Sequence, residues 1–206
     1  MKTILKTIFV GLVLFSFYSK SFAQPAKGIK IGANYTIYKD LNGVEYSPKP
    51  GFQFGYAWST KLNESLALSI EGLFTQKSSK VKYVNEDYLV NIDEKRNAGY
   101  ISLPLGLNYC LSKAYLGGGY QFGYLLTGNL PVNELDHALF LQAGYKIRFM
   151  DIVLKYTGSI NKEVGGTLVG GGNYNGTGSS TNQQATTYTP KANTFEFSLI
   201  FNLGSK

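Results

Sequence analysis

Few residues in this chain have the type and spacing that chemistry needs. His137 is the only histidine, so a metal centre built from several imidazoles is excluded, and a serine–histidine–aspartate triad would have to use that residue. Asp136 stands beside it, and a serine from elsewhere would have to approach in space, as in membrane-embedded acyltransferases or proteases. The plainer expectation is a solvated loop histidine near a strand mouth. Glu86-Asp87 and Asp93-Glu94 offer carboxylates to calcium, but Lys95 and Arg96 follow directly and calcium-loop spacing is missing. That segment reads as a solvated loop. Gly117-Gly118-Gly119 and the glycines at 170–172 match neither a phosphate loop nor a dinucleotide fingerprint, because no Lys-Ser/Thr pair or helix follows. Cys110, the only cysteine, cannot close an internal disulfide. Catalytic residues: none; cofactor-binding residues: none; metal ligands: none; and no cofactor is implied.

The elements that would position any such residue are strands. From Tyr100 to Leu111, Ile101, Leu103, Leu105, Leu107, Tyr109 and Leu111 alternate with Tyr100, Ser102, Pro104, Gly106, Asn108 and Cys110, the period of two that a strand requires. After a tight turn at Ser112-Lys113 the pattern resumes, with Leu116, Tyr120, Phe122, Tyr124 and Leu126 set against Tyr115, Gly117, Gly119, Gln121 and Gly123. The same reading places further strands over 28–38, 51–61, 66–77, 138–148, 152–160 and 194–203, which makes eight. Residues 62–65, 112–113 and 149–151 form short turns; 39–49, 78–97, 127–136 and 161–193 form longer connections. Val81, Tyr83, Leu89, Val90 and Ile92 suggest that two strands continue as a hairpin through 78–97. The glycine- and serine-rich 161–193 reads as a mobile loop. Alternating short and long connections are the pattern of outer-membrane barrels, with short periplasmic turns and long extracellular loops. Both termini then face the periplasm.

Alternation does not say whether the apolar face looks inward or outward. A soluble barrel would be rich in Lys and Glu outside and large and apolar inside. Here the polar face is mostly Gly, Ser, Thr, Asn, Gln and Ala, which suits the crowded interior of a narrow barrel. Charged residues are 16% of the chain and aromatic ones 15%, too little charge for a water-soluble surface of this kind. The apolar face is therefore expected outside, with Lys30, Glu71, Lys146, Lys155 and Glu196 pairing in the lumen. Tyr38, Trp58, Tyr109 and Tyr124 fit interfacial girdles. Pro104 removes a ladder donor and marks a bulge.

Residues 1–23 read as a signal peptide and 24–206 as one barrel domain. Lys2 and Lys6 precede an apolar run over 8–17, too short for a spanning helix, and Ser21-Phe22-Ala23 fits cleavage before Gln24. Removing Lys2, Lys6 and Lys20 lowers the formal charge from +7 to about +4. The remaining Lys and Arg are scattered, so no nucleic-acid partner is expected.

Tyr-Ile-Ser-Leu-Pro-Leu (100–105), Tyr115-Leu116-Gly117-Gly118-Gly119 with Gly123-Tyr124-Leu125-Leu126, Gly28-Ile29-Lys30-Ile31-Gly32 and Leu73-Phe74-Thr75-Gln76-Lys77 resemble the PorT-like family of outer-membrane β-barrel proteins common in the Bacteroidetes. The resemblance covers almost all of 24–206 and implies an eight-stranded barrel in the outer membrane of a Gram-negative bacterium, and it transfers no catalytic residue. The chain departs from the common terminal pattern by ending Leu203-Gly204-Ser205-Lys206 rather than on Phe, which leaves Phe201 or Leu203 to carry the assembly signal. Three functions follow: a non-enzymatic surface barrel whose loops bind a partner, an accessory part of a protein secretion system, or an enzyme acting on lipid or protein. Membrane lipid and lipopolysaccharide around the barrel, and a surface or secretion-machinery protein, are the expected partners.

Overall fold

The computed structural model describes residues 26–39, 44–83, 93–128, 134–160, 165–167, 186–188 and 191–203. Eight strands close an antiparallel barrel: β1 (Ala26–Tyr38), β2 (Val44–Lys61), β3 (Leu66–Tyr83), β4 (Asp93–Leu111), β5 (Ala114–Gly128), β6 (Leu135–Ile147), β7 (Met150–Ser159) and β10 (Ala192–Leu203). Sequence neighbours pair around the wall, and β1 meets β10 from Lys27↔Leu203 to Tyr38↔Ala192 to close it. The expected signal peptide at 1–23 lies outside the described residues, as do Glu86 and Asp87.

The eight expected strands are all present, and most run further than their alternation. Residues 44–49, expected in a loop, belong to β2 and pair with 78–83 of β3. Residues 77–82 of β3 in turn pair with 93–98 of β4, so the expected continuation past the barrel is found at both described ends. Charged side chains hide such an extension, because an extension projecting into water needs no apolar stripe. The loop expected at 127–136 is shorter, since β5 reaches Gly128 and β6 starts at Leu135. The turn expected at 149–151 falls on Arg148 and Phe149. Within the expected mobile loop, β8 (Gly165–Thr167) and β9 (Thr186–Tyr188) pair as a separate two-stranded ladder, and β10 begins inside its end. Backbone pairing there needs no apolar content, which is why composition missed it.

Pro104 does not mark a bulge. The β3–β4 ladder lapses between Ile70↔Leu105 and Leu73↔Ser102, but its register is the same on both sides. A missing N–H breaks bonds without inserting a residue. The register shifts lie instead between Lys49 and Phe52 of β2 and between Gly99 and Tyr100 of β4.

The apolar stripe faces outward. Phe52, Leu105, Phe122 and Phe197 are 46%, 43%, 38% and 49% exposed, whereas their strand neighbours Gln53, Pro104, Gln121 and Glu196 are buried. Tyr109 and Tyr124 are on the outer face as expected of a girdle. Tyr38 is not: at 4% exposure it turns inward, ring to ring with Tyr46 at 5.6 Å. Its parity with Lys30, Asn34 and Thr36 in β1 fixes that direction. Glycines on the inner face make room for the large rings there. A Cβ at Gly106 would come within 2.7 Å of the Phe140 ring, and one at Gly144 would run into Tyr115.

Candidate functional site

Among the described residues the barrel interior gathers the buried groups of opposite charge, and it is layered. Across its middle, Lys30 Nζ donates to Glu71 Oε2 at 2.7 Å. Lys155 Nζ lies 3.5 Å from the same Glu71 oxygen and 3.3 Å from Glu196 Oε2. Lys155 also stands over the Phe140 ring, 5.0 Å from its centroid. Gln53 Nε2 donates to Glu196 Oε2 at 3.0 Å and to Ser198 Oγ at 2.7 Å, and Thr157 Oγ1 donates to Glu196 Oε1 at 3.3 Å. Lys30 has no exposure at all. Two ammonium groups and two carboxylates therefore neutralise one another inside the wall, which an isolated buried ion could not do cheaply. The expectation of lumenal pairing holds for these four residues. Lys146 was expected in the set, but its ammonium lies over the Tyr115 ring at 5.6 Å.

Toward the end where the long connections lie, the lumen is packed. Tyr38, Tyr46, Val81, Ala98, Tyr100 and Ala192 form one buried cluster. Beside it Lys77 Nζ donates to Asp136 Oδ2 at 2.6 Å and lies 5.0 Å over the Tyr100 ring. This second ion pair was missed in the sequence, because Asp136 was placed in a loop. The signal was there: Asp136 shares parity with Ala138, Phe140 and Gln142.

At the opposite end, which carries the three short turns and the strand ends Ala26 and Leu203, the lumen is hollow. A cavity of about 280 Å³ opens there, lined among others by Ala57, Ala67, Glu71, Tyr115, Lys146 and Asp151. Cys110 also lies on its wall.

Among the described residues the geometry does not assemble a hydrolytic triad from His137. It sits in β6, not in a loop, and its ring contacts Phe122 and Tyr120, whose hydroxyl is hydrogen-bonded to His137 Nδ1. Asp136 is its chain neighbour and so points to the other face, where Ser159 Oγ donates to Asp136 Oδ1 at 3.2 Å. Asp93 and Glu94 open β4. Among the described residues no group of His, Cys, Asp and Glu is arranged to hold a metal ion, and no helix is long and apolar enough to cross a membrane, which says nothing of strands.

A family model described as outer membrane protein beta-barrel domain matches residues 22–206. No curated protein sequence matches the chain. Among solved structures, the chain is similar to Ail, the attachment invasion locus protein of Yersinia pestis, in complex with the heparin analogue sucrose octasulfate: 14% identity, TM-score 0.45, 88% of this chain and 100% of that one covered. It is also similar to the outer membrane protein OprG from Pseudomonas aeruginosa at 10% identity and TM-score 0.43, covering 86% and 91%. A Pseudomonas aeruginosa FadL homologue follows at 16% identity and TM-score 0.36, covering 78% and 38%. Likenesses this distant say nothing of what this chain binds.

Proposed function

The chain belongs to the outer membrane protein beta-barrel domain family, and from that premise we propose that it is a non-enzymatic surface barrel whose long connections make contacts outside the cell. One observation carries this reading: ion pairs among Lys30, Glu71, Lys155 and Glu196 span the lumen at its middle, while the strand ends that border the long connections all lie at one mouth. A barrel spanned in this way offers its rim, not its bore, as the working surface. The exported chain loses residues 1–23 as a signal peptide. Lipid and lipopolysaccharide cover the exposed stripe that includes Phe54, Leu107, Leu141 and Phe197. By the rule for such barrels, the short turns face the periplasm.

The test is a deletion of residues 165–189, followed by binding of intact cells to arrays of matrix proteins and polysaccharides. Loss of a specific interaction with normal barrel insertion supports the reading. A full-length barrel that binds nothing on such arrays, yet co-purifies in mild detergent with a periplasmic assembly, overturns it.

That second outcome belongs to the alternative, an accessory component of a protein secretion system of the PorT-like kind. The hollow short-turn end favours it, since a partner on the periplasmic side would find a recess there.

A further inference from the structure

We propose that the hollow end of the lumen is a binding cup for a small zwitterion of amino-acid or dipeptide size, held between Asp151 and Lys146. The cup is a product of side-chain size: Ala57 and Ala67 line one side of it, where the packed end of the same wall carries Tyr46 and Val81. Its volume of about 280 Å³ is at the small end of ligand pockets. The charged layer borders it, with Glu71 in its lining.

Four charged residues line the cup: Lys27 is exposed at its rim and Glu71 is already held by Lys30 and Lys155, which leaves Asp151 and Lys146, one group of each sign. Asp151 is only 9% exposed, and its one hydrogen bond comes from Asn202 Nδ2 to Oδ1 at 2.9 Å. A carboxylate so buried wants a cation or further donors. Lys146 is its direct cross-strand neighbour in the β6–β7 ladder and attracts its carboxylate at longer range, but the two do not close to salt-bridge distance. The Lys146 ammonium lies instead over the Tyr115 ring, at 5.6 Å from its centroid. Tyr115 lines the same cup. A ligand carrying an ammonium and a carboxylate satisfies both groups at once: its ammonium donates to the Asp151 carboxylate, and its carboxylate accepts from Lys146. A simple anion would face Asp151, and a simple cation would face Lys146. Charge at both ends of the ligand is what the cup selects.

The inference uses the orientation adopted above only to say that the ligand comes from the periplasm; binding in detergent is independent of it. The experiment is saturation-transfer NMR on the purified full-length barrel with three probes: alanyl-alanine, its N-acetyl derivative and its C-terminal amide. Alanyl-alanine should bind saturably, and each singly blocked probe should bind at least tenfold more weakly. Asp151→Asn should remove the penalty for N-acetylation, and Lys146→Gln the penalty for amidation. Ala67→Leu, which fills the cup without touching either charge, should abolish binding of all probes while the folded gel mobility is unchanged. No saturable binding of alanyl-alanine to a folded barrel, equal binding of the three probes, or undiminished binding by Ala67→Leu overturns the proposal.

Discussion

The two ends of the barrel interior are built from the same eight strands and have opposite contents. One end is filled by Tyr38, Tyr46, Tyr100 and the Lys77–Asp136 pair; the other keeps a cavity beside Ala57, Ala67 and Tyr115. Strand number fixes the bore of a barrel, so side-chain volume alone decides whether a given level is solid or open. The layer between them, Lys30, Glu71, Lys155 and Glu196, is where solid gives way to open. What differs between the ends is therefore a handful of inward positions, and each can be changed singly.

The largest effect is expected at that dividing layer. Glu71→Ala leaves Lys30 and Lys155 facing each other without their shared carboxylate, which should destabilise the barrel by about 3–5 kcal/mol. The midpoint of urea unfolding in micelles, followed by tryptophan fluorescence, measures it. An unchanged midpoint would mean that the layer does not separate the ends energetically. Tyr100→Ala empties part of the packed end and should cost about 3 kcal/mol in the same titration. Leu105→Arg tests the outside, where the two ends do not differ: Leu105 is outward in the middle of the crossing part of β4. It should cost about 2–3 kcal/mol in liposomes and much less in a soluble barrel. The smallest effect belongs to the hollow end, where Ala57→Leu should shift the midpoint by less than about 1 kcal/mol because there is space to receive it. A penalty as large as that of Tyr100→Ala would show that the end is not hollow in solution.

Much of this was legible in the alternation. Period-two patterning located all eight barrel strands and, read with the small polar residues of its other face, set Phe52, Leu105, Phe122 and Phe197 outside. It also put Lys30, Glu71, Lys155 and Glu196 on facing inner walls. It failed where lipid no longer imposes alternation: residues 44–49, expected in a loop, pair as a strand on polar sequence. The same limit displaced Asp136 and His137 into a loop, since the apolar pattern of β6 weakens at its mouth. Tyr38 was misplaced for another reason. A tyrosine at a strand end suits both an interface and a lumen, and only its parity within β1 separates them. The cup at the other end was not visible at all, because a void is a property of eight strands together and no single strand records it.

Seven of the eight junctions in the wall join strands that follow one another within the barrel, so each is a local hairpin or a return over one connection. The eighth joins the first barrel strand to the last, Ile31 to Leu199 and Tyr35 to Phe195. Until β10 arrives, two rows of backbone donors and acceptors have no mates, and hydrocarbon would not tolerate them. Truncation just before Ala192 should therefore yield no smaller pore or stable remnant, only a chain that fails to lodge in the bilayer.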